Sequence, residues 1–405
     1  MVAVCSLVLA VCALGVLHTY VLYPAYIIWR ARTQVQGWSR RRGATAALPP
    51  VYVLMAAHNE AAVLDAKLRT LAAQDYGGPL TVRVGSDCST DGTNNILTRW
   101  AARDARLQAT LFTTRQGKPA IINQLAAAVR AETADPDRAV FVLTDASVML
   151  QPDTVRHLVA PLTADPTLGV VDATMVQTGG GASGVGEAET AYIDREVRVK
   201  RAEGRLWRTM IGPFGGCWAL RAAAFRPVPD NFLVDDFYLC MAAYEAGWGG
   251  VSSAEAVVEE AVGQHLTDEF RRKVRISSGN WQNLVRFRHL WWPFWRNPLA
   301  FAFFSHKVLR WWTPFFLLAG AAAAGGLLLA TGPPYNHWPG LAFFVLLGGG
   351  AALIGADALL QPLGVHWRPA RYLRYFFAMN VALLVGCWRY LTGITTNVWQ
   401  PSQRN

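Results

Sequence analysis

Three apolar runs of this chain each end in a carboxylate. Glu60 follows Val51–Ala57 within His58-Asn-Glu60. Asp87 follows Leu80–Val84 within Gly85-Ser-Asp-Cys-Ser-Thr-Asp-Gly-Thr93. Asp145 follows Val140–Leu143 within Thr144-Asp-Ala-Ser147. Lys118 stands in a Gly117-Lys118 turn between the second and third of these. One such carboxylate is ordinary. Three in succession beside a lysine point to a nucleotide site with a metal, because phosphates need cations and a divalent ion needs hard oxygen ligands. Neither GxGxxG nor GxxxxGK[ST] stands in these turns, so dinucleotide-fold and P-loop chemistry are set aside.

The elements that must position these side chains follow from apolar spacing. Val51–Ala57 (VYVLMAA) is a continuous apolar run, the pattern of a strand buried on both faces. Leu80–Val84, Leu107–Phe112 and Ala139–Leu143 predict further strands. Between them, Ala62, Leu64, Leu68 and Leu71 repeat at helical spacing, and Thr93–Ala102 and Ala120–Val129 read as helices. Strands alternating with helices predict βαβ units and a mostly parallel α/β sheet. In such a sheet ligands bind at the carboxyl ends of the strands, where the three acids stand.

The chain has 405 residues, 52% hydrophobic and 16% charged. The charged share is below the roughly 25% of a typical soluble domain, which excludes a disordered or coiled-coil protein. Met1–Trp29 and Trp311–Leu353 contain no Asp, Glu, Lys or Arg. Val2–Ile28, Trp311–Thr331 and Leu341–Leu360 are long enough to span a bilayer. Tyr375–Trp388 fits either a short span or a helix lying in the interface. Net charge is +10, with Arg30, Arg32, Arg40, Arg41 and Arg42 after the first apolar segment. Arg286, Arg288, Arg296, Lys307 and Arg310 precede the second. This placement predicts contact with anionic headgroups rather than nucleic acid, and a cytoplasmic globular domain. His289–Arg310, with Trp291, Trp292 and Trp295, reads as a headgroup-level segment, either a plain anchor or a collar that presents an acceptor. Asp357, within the third span, is expected to pair with Arg368 or Arg371. Six scattered cysteines without CxxC predict reduced thiols. Gly179–Gly186 reads as a loop before a helix containing Glu187, Asp194 and Glu196, and is given no chemistry.

Taken in order, the polar segments resemble family 2 glycosyltransferases of the GT-A fold. The matching residues are Pro50–Glu60, Leu71-Ala-Ala-Gln-Asp-Tyr76, Asp87–Thr93, Gly117-Lys-Pro-Ala-Ile-Ile-Asn123 and Thr144–Ser147. They continue through Gly215-Gly-Cys-Trp218, Val234-Asp-Asp-Phe-Tyr-Leu239 and Phe270–Gly279. The layout of one N-terminal and several C-terminal apolar segments is similar to the polysaccharide-synthase branch.

The resemblance implies roles. Asp87 accepts from the uracil N–H, Asn59 and Glu60 line the nucleotide pocket, and Lys118 belongs to the same pocket. Asp145 takes the place of the first Asp of the DxD metal motif, and Ser147 replaces the second. Mg²⁺ or Mn²⁺ is the implied cofactor. Asp236 takes the place of the catalytic base. Asp235 either raises its proton affinity or caps the following helix. Arg272 and Arg275 stand in the region of QxxRW, without its Gln and Trp, and would neutralise the departing diphosphate or form a solvated helix face. Trp281 is expected to supply a sugar-stacking ring. Gly216, Cys217 and Trp218 form the acceptor side, with Cys217 a packing residue.

The implied activity is inverting transfer of a sugar from a nucleotide sugar, with UDP the first choice, to a hydroxyl of a lipid-linked or polysaccharide acceptor. Processive polymer synthesis and an inactive scaffold are the alternatives. The expected organisation is an anchor at 1–29, a basic linker at 30–48, the catalytic domain at 49–288, an interfacial segment at 289–310, membrane helices at 311–392 and a tail at 393–405. The expected location is a bacterial inner membrane.

Overall fold

The computed structural model describes residues 1–33, 47–178, 184–261, 266–330, 338–360 and 368–394. Arg40–Arg42, the glycines at 179–183, the linker at 331–337 and the Trp399–Arg404 tail lie outside the described residues, as does the side chain of Asp357.

A helix runs from α1 (Val2–Leu17) through a π-turn (His18–Leu22) into α2 (Tyr23–Thr33). The α/β unit follows: β1 (Val51–Ala57), α3 (Ala61–Ala72), β2 (Leu80–Asp87), α4 (Thr93–Ala101), β3 (Leu107–Phe112), α5 (Lys118–Glu132) and β4 (Val140–Thr144). Next come β5 (Val148–Leu150), α6 (Thr154–Ala164), β6 (Leu168–Thr178), α7 (Gly184–Trp207), β7 (Cys217–Arg221), α8 (Asp235–Glu245), β8 (Gly249–Ala261) and α9 (Leu266–Arg286). The C-terminal part comprises α10 (Arg288–Trp291), α11 (Pro298–Phe303), a π-turn (Phe304–Val308), α12 (Leu309–Trp311), α13 (Thr313–Ala330), α14 (Trp338–Leu360) and α15 (Arg368–Leu391).

The eight strands form one sheet in the order β3-β2-β1-β4-β7-β6-β8-β5. β3, β2, β1 and β4 are mutually parallel, as the alternating pattern predicts. β1 and β4 are almost wholly buried, which is why their sequences are continuous apolar runs. β7 runs antiparallel between β4 and β6, with Cys217 beside Thr144. The glycines that precede β7 are thereby delivered to the end of β4 that carries Asp145. β8 pairs parallel to β6 and antiparallel to β5. The mixed sheet keeps all three strand-end acids on one edge of the fold.

Among the described residues, two helices are long and apolar enough to cross a membrane: Val2–Thr33 and Thr313–Ala330. They pack through small residues, with Gly15 against the Phe316 ring, Gly326 against Cys5, and Leu9 beside Ala323, Ala324 and Leu327. α15 packs on α9. Ser277 Oγ donates to the Leu383 carbonyl at 3.0 Å, and Ser278 Oγ to that of Gly386 at 3.1 Å. A Cβ at Gly386 would lie 2.3 Å from that of Ser277.

A buried ionic cluster joins the α/β unit to the C-terminal part. Glu203, fully buried on α7, accepts from Tyr23 Oη at 2.8 Å, from the Ile211 N–H at 3.0 Å and from His306 Nδ1 at 2.7 Å. Glu196, one face-repeat earlier on α7, pairs with Lys307 and with Arg310 at 2.6 Å. This corrects one expectation: Lys307 and Arg310 turn inward to a carboxylate rather than outward to headgroups. Arg286 likewise pairs with Glu245 at 3.0 Å. Arg288 and Arg296 remain exposed, with Trp292 and Trp295 beside them.

Candidate active site

The loops after β1 and β2 interlock. His58 Nδ1 lies 2.8 Å from the Asp87 carbonyl. Asn59 has φ of +54°, a conformation that asparagine tolerates better than most residues. In that conformation its Oδ1 accepts from the Thr90 N–H at 2.8 Å and its own N–H donates to Ser89 Oγ at 3.2 Å. The Glu60 N–H donates to Thr93 Oγ1 at 2.8 Å. The residues that sequence assigns to the nucleotide pocket therefore form one braced surface at the carboxyl ends of β1 and β2.

Asp87 works from beneath this surface. Its carboxylate is wholly buried and accepts from the Gln116 and Gly117 N–H groups at 2.8 and 3.0 Å, with Arg115 Nε at 3.7 Å. It thereby fixes the turn, with Gly117 at φ +87°, that launches Lys118 into the site at the start of α5.

Asp145 occupies a turn held on both sides. Its N–H and Thr144 Oγ1 both donate to the Gly216 carbonyl, at 3.0 and 2.9 Å. Underneath lies Lys67, fully buried on α3, whose Nζ donates to Thr144 Oγ1 at 2.7 Å and to the Val148 carbonyl at 2.5 Å. Burial pulls the Lys67 pKa down to about 8, against the pull of Cys217, Asp145 and Glu260. Sequence reasoning passed over Lys67. The signal was present, because position 67 falls on the apolar face formed by Leu64, Leu68 and Leu71. A lysine at such a place is kept only if its ammonium finds acceptors.

The acids converge through Lys118. Its Nζ lies 2.7 Å from Asp145 Oδ1 and 3.8 Å from Asp235 Oδ2. Burial acts to lower the Lys118 pKa, but Asp145, Asp235 and Asp236 outweigh it and hold the ammonium charged. Asp235 and Asp236 open α8, with Val234 at the cap position and no side-chain cap bond, so Asp235 faces the site instead of capping the helix. Asp236 Oδ1 accepts from the Phe237 N–H at 2.7 Å. Burial first and the Asp235 charge second raise the Asp236 pKa to about 7, partly opposed by Lys118. A carboxylate poised there suits proton abstraction near neutral pH. Arg275 reaches the same cluster from α9. Its Nη1 donates to the Leu233 carbonyl at 3.0 Å, and the charges of Asp235, Asp145 and Asp236 oppose the loss of basicity that burial causes.

Other assignments need correction. Arg272 Nε lies 3.8 Å from Glu269 on its own helix, while Arg275 feels the charges of Asp235, Asp145 and Asp236. Trp281 is buried against Trp312 and Phe315, with ring centroids at 5.8 and 5.9 Å. Six residues beyond Arg275 on α9, it faces the C-terminal helices and offers no ring to a sugar. Trp218 and Cys217 are core residues of β7, each 1% exposed, and do not line an acceptor surface. Burial pushes the Cys217 thiol up to about 11, in keeping with a packing role. Gly216 backs onto Met175 and Val148, and its contribution is the carbonyl that holds Asp145. The glycine that lies against Asp236 is Gly215.

A metal at this site would rest on few protein ligands. Asp145 is 41% exposed in its side chain and stands on the open side of its turn. Among the described residues no group of three or more His, Cys, Asp or Glu side chains is arranged to hold an ion. That arrangement fits a Mg²⁺-like ion bound by one or two carboxylates, phosphate oxygens and water.

Residues 52–228 match the family model described as glycosyl transferase family 2. The structure of mannosyltransferase PcManGT from Pyrobaculum calidifontis, in complex with GDP-Man and Mn²⁺, superposes with a TM-score of 0.67. It is 23% identical, and the match covers 95% of this chain and 99% of that one. S. aureus TarS 1–349, in complex with UDP, is 17% identical over 83% of this chain and 92% of that one, with a TM-score of 0.41. No curated protein matches the chain. The family match spans the β1 to β7 core that carries Asp87, Lys118 and Asp145, and the full-length superposition gives the same fold. The chain therefore carries a family 2 glycosyl transferase domain of the GT-A fold, and it is a glycosyltransferase.

Proposed function

We propose that this protein is a membrane-bound, inverting glycosyltransferase in which Asp236 is the general base. The observation that carries the proposal is the convergence of Lys118, Asp145, Asp235, Asp236 and Arg275 at the strand ends, with Asp236 set near pH 7. The donor is a nucleoside diphosphate sugar, its base over the braced loops of Asn59, Glu60 and Asp87. Asp236 takes the proton of the acceptor hydroxyl as that oxygen bonds to the anomeric carbon. The bond to the diphosphate breaks on the opposite face, and Lys118 and Arg275 neutralise the leaving oxygens. Asp145 is the residue that would hold Mg²⁺ or Mn²⁺, which when bound supplies charge neutralisation to the diphosphate. PcManGT, whose structure contains GDP-Man and Mn²⁺, supports a nucleoside diphosphate sugar as donor and a divalent ion as cofactor.

The apolar helices Val2–Thr33 and Thr313–Ala330 support a membrane protein, with the catalytic domain cytoplasmic and the host membrane that of a bacterial cell. Exposed Trp292, Trp295, Arg288 and Arg296 then meet the headgroups. The contact of Leu383 and Gly386 with α9 favours α15 as a helix lying against the catalytic domain rather than a free span. The acceptor is a lipid-linked or polysaccharide hydroxyl. Loss of the Gln and Trp of QxxRW, with Arg275 kept, favours one or few transfers over a processive polymer.

The test is binding followed by turnover. Detergent-purified protein is heated with UDP-glucose, UDP-N-acetylglucosamine or GDP-mannose in the presence of Mn²⁺. A specific donor raises Tm by mass action and releases its nucleoside diphosphate when a lipid extract is added. No shift and no release across donors and metals would overturn the reading.

A further inference from the structure

The residues just before β7 stand between Asp236 and the Asp145 turn, and a buried ion pair outside the mechanism described above holds them. Gly215 lies against Asp236. Gly212, at φ +75°, faces the ring of Phe237, and a Cβ there would fall 2.6 Å from Phe237 Cδ2. The Gly216 carbonyl accepts from the Asp145 N–H and from Thr144 Oγ1. Among these glycines stands Phe214, half-buried and fixed by two groups. Asp172 of β6, in register with Trp218 of β7, accepts from the Phe214 N–H through Oδ1 at 3.2 Å. Its Oδ2 accepts from Nζ of Lys200 on α7 at 2.6 Å, and that ammonium lies 3.4 Å from the centroid of the Phe214 ring. Both side chains of the pair are buried. One turn further along α7, Glu203 accepts from the Ile211 N–H at 3.0 Å, so the helix grips the segment at two points. A buried ion pair is weak ground for stability, since apolar residues of similar volume often serve folding as well. Apolar residues cannot, however, accept from a backbone N–H and hold a ring by its face at the same time.

We propose that Asp172 and Lys200 are positioning residues for the reaction: by fixing Phe214 they set the Gly215 backbone against Asp236 and so hold the base in place. The pair acts through Phe214 and Gly215, not on the reacting atoms. The Gly216 carbonyl ties the Asp145 turn to the same segment, so Asp145 and Asp236 keep one spacing. The inference rests on the general-base reading above and gives the pair a task within it. Asp236 owes its raised pKa first to burial, and the close Gly215 backbone is part of that cover. A loosened segment therefore lets water reach Asp236 and lowers its pKa.

The experiment separates kcat from binding. Full-length protein in detergent is assayed with the nucleotide sugar that raises its Tm, and donor affinity, kcat and the pH limb of kcat/KM are measured for each variant. Asp172→Leu combined with Lys200→Met removes equal and opposite charges at similar volume. This apolar pair should fold, while kcat falls about 10²-fold. Donor affinity should stay near wild type, and the limb should move to lower pH. Asp172→Asn combined with Lys200→Met returns an acceptor to the Phe214 N–H and should recover part of the lost kcat. A pair that serves folding alone predicts wild-type kcat and limb in every folded variant, and that result would overturn the proposal. So would a fall in kcat matched by loss of donor affinity, or one that the Asn variant leaves unrepaired. If the apolar pair does not fold, Phe214→Leu decides, because it cuts back a half-buried ring with the ion pair in place. It should lower kcat and move the limb the same way, and wild-type values would overturn the proposal. Asp236→Asn is measured alongside. Turnover retained in Asp236→Asn, or absent from wild type on every donor, removes the base reading and this inference with it. Turnover lost in Asp236→Asn but unchanged in the pair variants removes this inference alone.

Discussion

Gly215 passes so close to Asp236 that a Cβ at position 215 would lie 2.2 Å from Asp236 Oδ2. Gly215 also has φ of +79°, which side-chain-bearing residues rarely adopt. Backbone and acid thus share one space. Gly215→Ala should lower kcat by about 10²-fold through displacement of the base. It should also cost about 1–3 kcal/mol of stability from the forced backbone. Kinetics and thermal unfolding of the same preparation check both. Wild-type kcat would show that Asp236 does not need this contact.

The pH dependence follows from Asp236 at about 7. Only the ionised form accepts a proton, so kcat/KM should rise with pH and level off above a limb near 7. Lys118 lowers the Asp236 pKa, so Lys118→Met should move that limb to higher pH as well as weaken donor binding. A pH–rate series on both proteins measures the displacement. A limb that stays put or moves to lower pH would separate Lys118 from the base.

Stability carries the same signature. A carboxyl with a raised pKa binds its proton more tightly folded than unfolded. Between the ordinary Asp value of about 3.9 and about 7, the folded state holds more protons, so stability falls as pH rises through that window. Asp236→Asn removes this dependence. Its Tm should exceed that of wild type at pH 8 by more than it does at pH 4, while turnover is lost.

The ionic junction is testable apart from catalysis. Glu196 is buried and its pKa is held well below the ordinary range. Burial works against this, but Arg310, His306 and Lys307 prevail. Glu196→Gln would leave those cations without their anion, at a cost of about 3–5 kcal/mol. Chemical or thermal unfolding should show the loss. A drop under about 1 kcal/mol, the value of an exposed pair, would mean that the cluster is solvated.

Much of the first half of the fold is legible in the sequence. β1 and β4 appear as apolar runs because a strand buried on both faces has no polar alternation to hide it, and the acids after β1, β2 and β4 mark the site edge. β7 was missed. Cys217–Arg221 is short, and its antiparallel insertion between β4 and β6 is decided by pairing partners that local pattern does not reveal. Asp236 and Arg275 were singled out by motif order, whereas Lys67 was not. Position 67 falls on the apolar face of α3, so its burial was legible, but only packing of α3 against the Asp145 turn shows which acceptors hold its charge. Trp281 failed for the opposite reason. Its spacing from Arg275 suggested the lost motif ring, but the helix turns it toward Trp312.

The central claim is tested most directly by nucleoside diphosphate release from the donor that stabilises the protein, measured side by side for wild type and Asp236→Asn with donor affinity determined for each. The account predicts release by wild type and loss of release by the variant, with donor affinity kept within a few-fold. Equal release by the two proteins would contradict it.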